Sequence, residues 1–153
     1  MRTSYAREWV WLCLALQLLG YVIDVLWHGW LRPGVEPATV GEMARHLATV
    51  HLVLYVGAVA AVVSLANLVL RERAARERAS ACTGLALPIA LAGATLSASG
   101  EAWHAYSHLQ MDLSHATIAG SLSFVGFLTA VVAMSLSSGR RDAAAPRAGR
   151  RAA

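Results

Sequence analysis

The sequence contains six histidines: His28, His46, His51, His104, His108 and His115. Every one falls at the end of an apolar run, and always at the end away from most of the arginines. Two carboxylates join them from inside the runs, Asp24 one helical turn before His28 and Glu101 one turn before His104. Residues three or four apart share a helix face, so Asp24-x-x-x-His28 and Glu101-x-x-His104 can each aim two ligands at one point. Imidazole and carboxylate donors on facing helices are how bundles hold iron, manganese or zinc. The candidate metal ligands are therefore Asp24, His28, His46, Glu101, His104, His108 and His115, with Asp24 and Glu101 the candidate catalytic carboxylates.

The polar stripes extend beyond these pairs. Gln17, Tyr21, Asp24 and His28 line one face of the first helix, and Ser97, Glu101, His104 and His108 line one face of the third. Ionisable groups in an apolar span turn inward to a partner, because an unpaired charge there costs at least ~2 kcal/mol. The two stripes are thus expected to face each other, with Asp24 and Glu101 within ligand-sharing distance. His51 follows His46 by five residues, ~140° around a continuous helix, which predicts a core or interface residue rather than a ligand. Thr39-Val-Gly-Glu42 reads as a capping box, giving Glu42 a structural role. Asp112 reads as either an N-cap or a ligand.

Glu101-x-x-His104 resembles the Glu-x-x-His element of ferritin-like di-iron bundles. That family carries the element on two helices with further glutamates, whereas the first helix here has Asp24-x-x-x-His28, so the resemblance stops at one four-residue pattern. Nucleophilic catalysis has no support: Gly-x-Ser-x-Gly, His-Glu-x-x-His and a phosphate-binding glycine loop are all absent from the sequence. Ser97, Ser99 and Ser107 near Glu101 and His104 read as helix-packing residues.

The elements that must position these side chains are transmembrane helices. Hydrophobic residues make up 57% of the chain and charged ones 14%, against about one-quarter charged in an ordinary soluble domain. Apolar runs cover roughly 8–31, 45–70, 81–106 and 116–138, each long enough to cross a bilayer. The first is too long for a signal-peptide core, carries Asp24 and lacks a small-x-small cleavage site, so it is expected to be retained. Eleven of the 13 basic residues, all of them Arg, lie on one side of these runs, against Arg32 and Arg45 on the other. Arginine-rich flanks stay in the cytoplasm, which predicts cytoplasmic N- and C-termini and an extracytoplasmic histidine cluster. Aromatic placement agrees: Tyr5, Trp9 and Trp11 mark the inner interface, and Trp27, Trp30, Trp103 and Tyr106 the outer one. Trp9 and Trp30 are ~31 Å apart at 1.5 Å per residue, matching the hydrocarbon thickness.

Arg-only basicity and an Ala-rich tail suggest a GC-rich bacterial genome and a plasma (inner) membrane location, and the absence of Lys excludes Schiff-base chemistry. The basic residues do not interleave with aromatics as a nucleic-acid surface would. Cys13 and Cys82 form neither a disulfide framework nor a metal motif and read as packing residues. Pro88 predicts a kink in the third helix. Residues 139–153 read as a basic, disordered cytoplasmic tail, and this tail and the Arg71–Arg78 segment are candidates for contact with anionic lipid.

A faint repeat relates the halves. Trp27-His28 matches Trp103-His104, and Tyr55-Val-Gly57 matches Phe124-Val-Gly126 at an offset that also places His46 on His115. The expected fold is an all-α integral membrane four-helix bundle over residues 1–138, made of two helical hairpins related by a pseudo-twofold axis along the membrane normal. Its half-sites would be Asp24, His28, His46 and Glu101, His104, His115, with His108 as an additional ligand. The expected function is that of a His/carboxylate iron centre, with two half-sites suggesting di-iron, in an oxidase or hydroxylase acting on a lipid-soluble substrate. The alternatives are a b-type haem protein with axial histidines and a zinc- or copper-binding or delivery protein. The expected partners are the bilayer, a lipophilic small molecule, and either a partner membrane protein or a second copy of the chain.

Overall fold

The computed structural model describes residues 3–35, 37–77, 84–112 and 114–144. Helix α1 spans Thr3–Leu26 and runs directly into a π-helical turn, Trp27–Leu31; α2 is Val40–Thr49, α3 Leu52–Glu77, α4 Ala86–Leu109 and α5 Ala116–Ala144. No strand occurs among the described residues. Among the described residues, three segments are long and apolar enough to cross a membrane: Tyr5–Leu31, Leu52–Ala75 and Ala116–Ser138. Helix α4 matches α1 in length, but Ser97, Ser99 and Glu101 dilute its apolar run. The outward faces carry exposed Val59, Val63, Val132 and Leu136, the reverse of a water-soluble surface and the pattern of a lipid-facing one.

The run expected as one helix over 45–70 is two. Helix α2 ends at Thr49, whose hydroxyl donates to the carbonyls of Arg45 (2.9 Å) and His46 (3.2 Å). Such back-bonding competes with the helical ladder and bends or ends it. The His51 carbonyl then accepts from Tyr55 N, starting α3. At the other end of α2 the Thr39 half of the capping box forms, its side chain accepting from Glu42 N at 3.2 Å, while Glu42 accepts from Ala38 N at 3.0 Å, one residue before the cap. Pro88 introduces no kink of the expected kind, because α4 begins at Ala86. Within the first turn of a helix the missing N–H is no loss. Helix α5 runs on to Ala144, into the segment read as tail; residues 145–153 and Cys82 lie outside the described residues.

Helix α1 packs on α3 and α4 packs on α5, while α3 and α4 join the two pairs. Small residues allow the close approach within each pair. A Cβ on Gly57 would stand 2.5 Å from Gln17 N, and one on Gly126 would stand 2.5 Å from Ser97 N. The core is layered along its length. The half away from the histidines is apolar, with Val10, Leu14, Leu65, Leu68, Leu87, Phe127 and Met134 buried together, and Cys13 packs there with its Sγ 3.5 Å from Ser64 Oγ. That end is tied by Arg7, which donates to Glu72 at 2.7 Å and to Ser137 at 2.8 Å, joining three helices. Above the apolar half lies a layer of hydroxyls, and above that the histidines.

Candidate metal centre

The two polar stripes do face each other. Gln17 Nε2 donates to Ser97 Oγ at 2.6 Å, and Tyr21 Oη lies 2.5 Å from Ser123 Oγ on α5. Ser97 and Ser123 are 3.1 Å apart, and Ser123 donates to Glu101 Oε1 at 2.5 Å. Gln17, Ser97, Ser123 and Glu101 are all buried, so each polar group in this layer is held by a neighbour, as burial demands. Glu101 is therefore a hydroxyl-bound carboxylate one turn below the imidazoles.

Five histidines gather above it. The π-helical turn closes through a 2.8 Å bond from Arg32 N to Trp27 O and carries His28. His28 Nε2 is 3.2 Å from His46 Nε2 on α2, which is 3.3 Å from His51 Nε2 in the α2–α3 turn. Across the bundle, His104 and His108 of α4 approach Nε2 to Nε2 at 3.0 Å. Donor atoms of His28, His46 and His51 lie within 4.8 Å of one another, and so do those of His51, His104 and His108. His51 belongs to both triads and is 1% exposed.

The contacts around the rings bear on which nitrogens could hold a metal ion. His104 Nδ1 lies 3.1 Å from the Ala116 carbonyl; a carbonyl only accepts, so Nδ1 carries the proton and Nε2 presents a lone pair to the cluster. Asp24 Oδ1 lies 3.5 Å from both His28 Nε2 and His51 Nδ1, too long for a good hydrogen bond. Asp24 Oδ1 and His51 Nδ1 are both buried without a hydrogen-bond partner. An ion bound at ~2.0–2.1 Å by nitrogen holds its ligand atoms ~2.9 Å apart in an octahedral shell and ~3.3 Å apart in a tetrahedral one. The separations of 3.0, 3.2 and 3.3 Å fall in that interval, so the donor set and its spacing fit a metal ion.

Of the residues singled out in the sequence, Asp24, His28, His46, His104 and His108 come together. His115 does not join them: it is about half exposed, its Nδ1 is 3.0 Å from Asp112, and its ring lies 6.2 Å from that of Trp103. Asp112 also accepts from Ser114 N, in the turn that precedes α5. Its carboxyl is held below the usual range by the Ser114 hydroxyl first and His115 second. Glu101 shares a cavity of about 340 Å³ with Asp24 and His104. His51 is the residue that the spacing argument missed. The helix break at Val50 removes it from the α2 register, and the sequence signal for that break was Thr49, a back-bonding residue between two histidines.

A second cavity, of about 590 Å³, opens beside the cluster between α1, α4 and α5, lined by Asp24, Val25, His28, His104, His108 and Gly120 among others. Comparison with known protein families, curated proteins and solved structures finds no match.

Proposed function

We propose that this chain is an integral membrane metalloprotein of four spans, α4 being the fourth, with a histidine-rich centre near the extracytoplasmic face of a bacterial plasma membrane and both termini in the cytoplasm. The observation that carries this reading is the convergence of five imidazoles, with the pairs His28–His46, His46–His51 and His104–His108 at separations that ligands of a metal ion adopt. The arginine asymmetry supports the orientation. The matched small-residue contacts of Gly57 on Gln17 and Gly126 on Ser97 support the pseudo-twofold relation of the hairpins.

The reaction proposed is iron-dependent oxidation of a lipid-soluble substrate. Iron in the centre would supply one-electron chemistry and oxygen activation. The two triads that would hold it are His28, His46 and His51, and His51, His104 and His108, and Asp24, ionised, would add a negative charge beside His28 and His51. Glu101 and the Ser123 and Tyr21 hydroxyls form a hydrogen-bonded set that can hold or pass a proton one turn below the ligands. Val25, Gly29, Ala116 and Gly120 supply the apolar part of the larger cavity's lining, against which a lipophilic molecule would rest beside the histidines.

A second reading, zinc or copper binding, is favoured by the capture of Glu101 by Ser123, which leaves an almost purely imidazole donor set suited to those ions. Haem draws less support, since axial nitrogens lie about 4 Å apart across the iron, twice the ~2.0 Å bond, with the macrocycle between them. Elemental analysis and an optical spectrum of protein purified in mild detergent test all three. Stoichiometric iron without a Soret band is expected. Zinc or copper selects the second reading, a Soret band selects haem, and folded metal-free protein sinks the proposal.

A further inference from the structure

His51 stands where no single ion accounts for it. Four imidazoles surround its ring, with centroids at 5.1 Å (His46), 5.5 Å (His104), 5.8 Å (His108) and 5.9 Å (His28). Its Nε2 is directed to His46 at 3.3 Å. Its Nδ1 is buried, has no hydrogen-bond partner and lies 3.5 Å from Asp24 Oδ1, itself without one. A ligand histidine normally donates its second nitrogen to a carboxylate, carbonyl or water at hydrogen-bonding distance. Here that distance is too long, and the ring is common to two ligand triads. Tyr55, one turn further on, stacks on the ring at 5.8 Å and 16° and fixes its plane.

Resting on the metalloprotein reading, we infer that His51 is an imidazole bridge between two metal ions. The first is held by His28, His46 and His51 Nε2. The second is held by His104, His108 and the remaining nitrogen, His51 Nδ1, with Asp24 Oδ1 beside it. Binding of the second ion displaces the Nδ1 proton to solvent, so the bridge is an imidazolate and no oxidation change is involved. Each hairpin then supplies a separate half-centre: the first ion rests on ligands from the α1–α3 pair, the second on α4, and one ring from the first hairpin links them. Two bonds of ~2.0 Å on either side of the ring place the ions about 6 Å apart, against about 3.5–4 Å for two-metal sites bridged by oxygen.

Copper(II) is the probe, because spin coupling through a bridge is visible by electron paramagnetic resonance. The full chain, purified in detergent and stripped of metal, is titrated with copper(II), and copper per chain is compared with the integrated resonance signal at low temperature. Two copper ions per chain are expected, with less than half of the copper contributing signal and a copper–copper separation near 6 Å by X-ray absorption. His51→Ala is expected to hold at most one copper, at full signal intensity, while His115→Ala keeps both ions coupled. Two ions at full intensity, a separation near 3.5 Å, or one ion per chain would overturn the bridge and leave the metalloprotein reading standing. Retention of two coupled ions by His51→Ala would overturn it as well. No copper bound to well-folded protein would instead overturn the reading on which the bridge rests. The parent measurements decide the matter even if His51→Ala does not fold, and His51→Gln offers a second variant.

Discussion

Substituting Gly126 by alanine tests whether the two helices of the second hairpin approach as closely as the small-residue contacts require. The new Cβ would stand 2.5 Å from Ser97 N and 2.6 Å from Gly93 O, both backbone atoms that cannot swing aside. Against the 3.4 Å of an ordinary contact, α4 and α5 would have to part by about 0.9 Å. A gap of that size forfeits roughly a quarter to a half of the dispersion energy of each affected atom pair, and overpacking of this kind costs about 1–3 kcal/mol. Alanine recovers up to ~1 kcal/mol of helix propensity over glycine at any helical site, so against a glycine-to-alanine change on an open helix face the loss expected is the overpacking cost itself, about 1–3 kcal/mol. Gly41→Ala is the reference, because its Cβ would meet nothing within 4 Å on α2 and should be neutral or stabilising. Unfolding of both variants is followed by circular dichroism in the same detergent. The reasoning fails if Gly126→Ala is as stable as Gly41→Ala, since helices in the stated contact could not absorb the methyl group. The damage should also spread locally: Ser97 accepts from Gln17 at 2.6 Å and abuts Ser123, so displacing α4 loosens the hydroxyl layer under Glu101.

The carboxylates should behave differently. Asp24→Asn is expected to weaken metal binding about 10–100-fold, the usual effect of losing a charged group at the ligand shell, whereas Glu101→Gln keeps most of the metal because Ser123 already holds that side chain; equilibrium dialysis compares them, and equal loss would place Glu101 on the ion. Met111→Gly should raise stability by a few tenths to about 1 kcal/mol, because Met111 has φ 55° where α4 ends and a non-glycine residue is strained there; a lower melting temperature would contradict that. Reporter fusions after Val35 and Met111 should read as extracytoplasmic and one after Arg76 as cytoplasmic, and a cytoplasmic result at Val35 reverses the orientation.

The membrane character, the facing of the two polar stripes and the start of α2 were all legible in the sequence, for one reason. Each depends on residues near one another along the chain: apolar runs of bilayer length, polar residues at helical spacing, and Thr39 three residues before Glu42. The Gln17–Ser97 bond is the tertiary consequence of that local pattern, because two stripes excluded from lipid have only each other to face.

The composition of the site itself was decided by contacts between elements. Ser123 is an unremarkable serine of α5 in sequence, yet it donates to Glu101 Oε1 and ties that carboxylate to the hydroxyl layer. Arg7 counts in the sequence as a cytoplasmic charge, and only the tertiary arrangement of the bundle brings it to the buried Glu72 of α3 and Ser137 of α5. His115 lost its expected place because Asp112 and Ser114 hold it in the α4–α5 turn. His51 entered the site because a helix that periodicity runs straight through ends at Thr49, and a break of one turn changes the direction of every later side chain. Spacing fixes which residues share a face only while the helix lasts; where it stops is a contest between backbone hydrogen bonds, the Thr49 hydroxyl and the burial of a ring among four others, and that contest is settled in three dimensions.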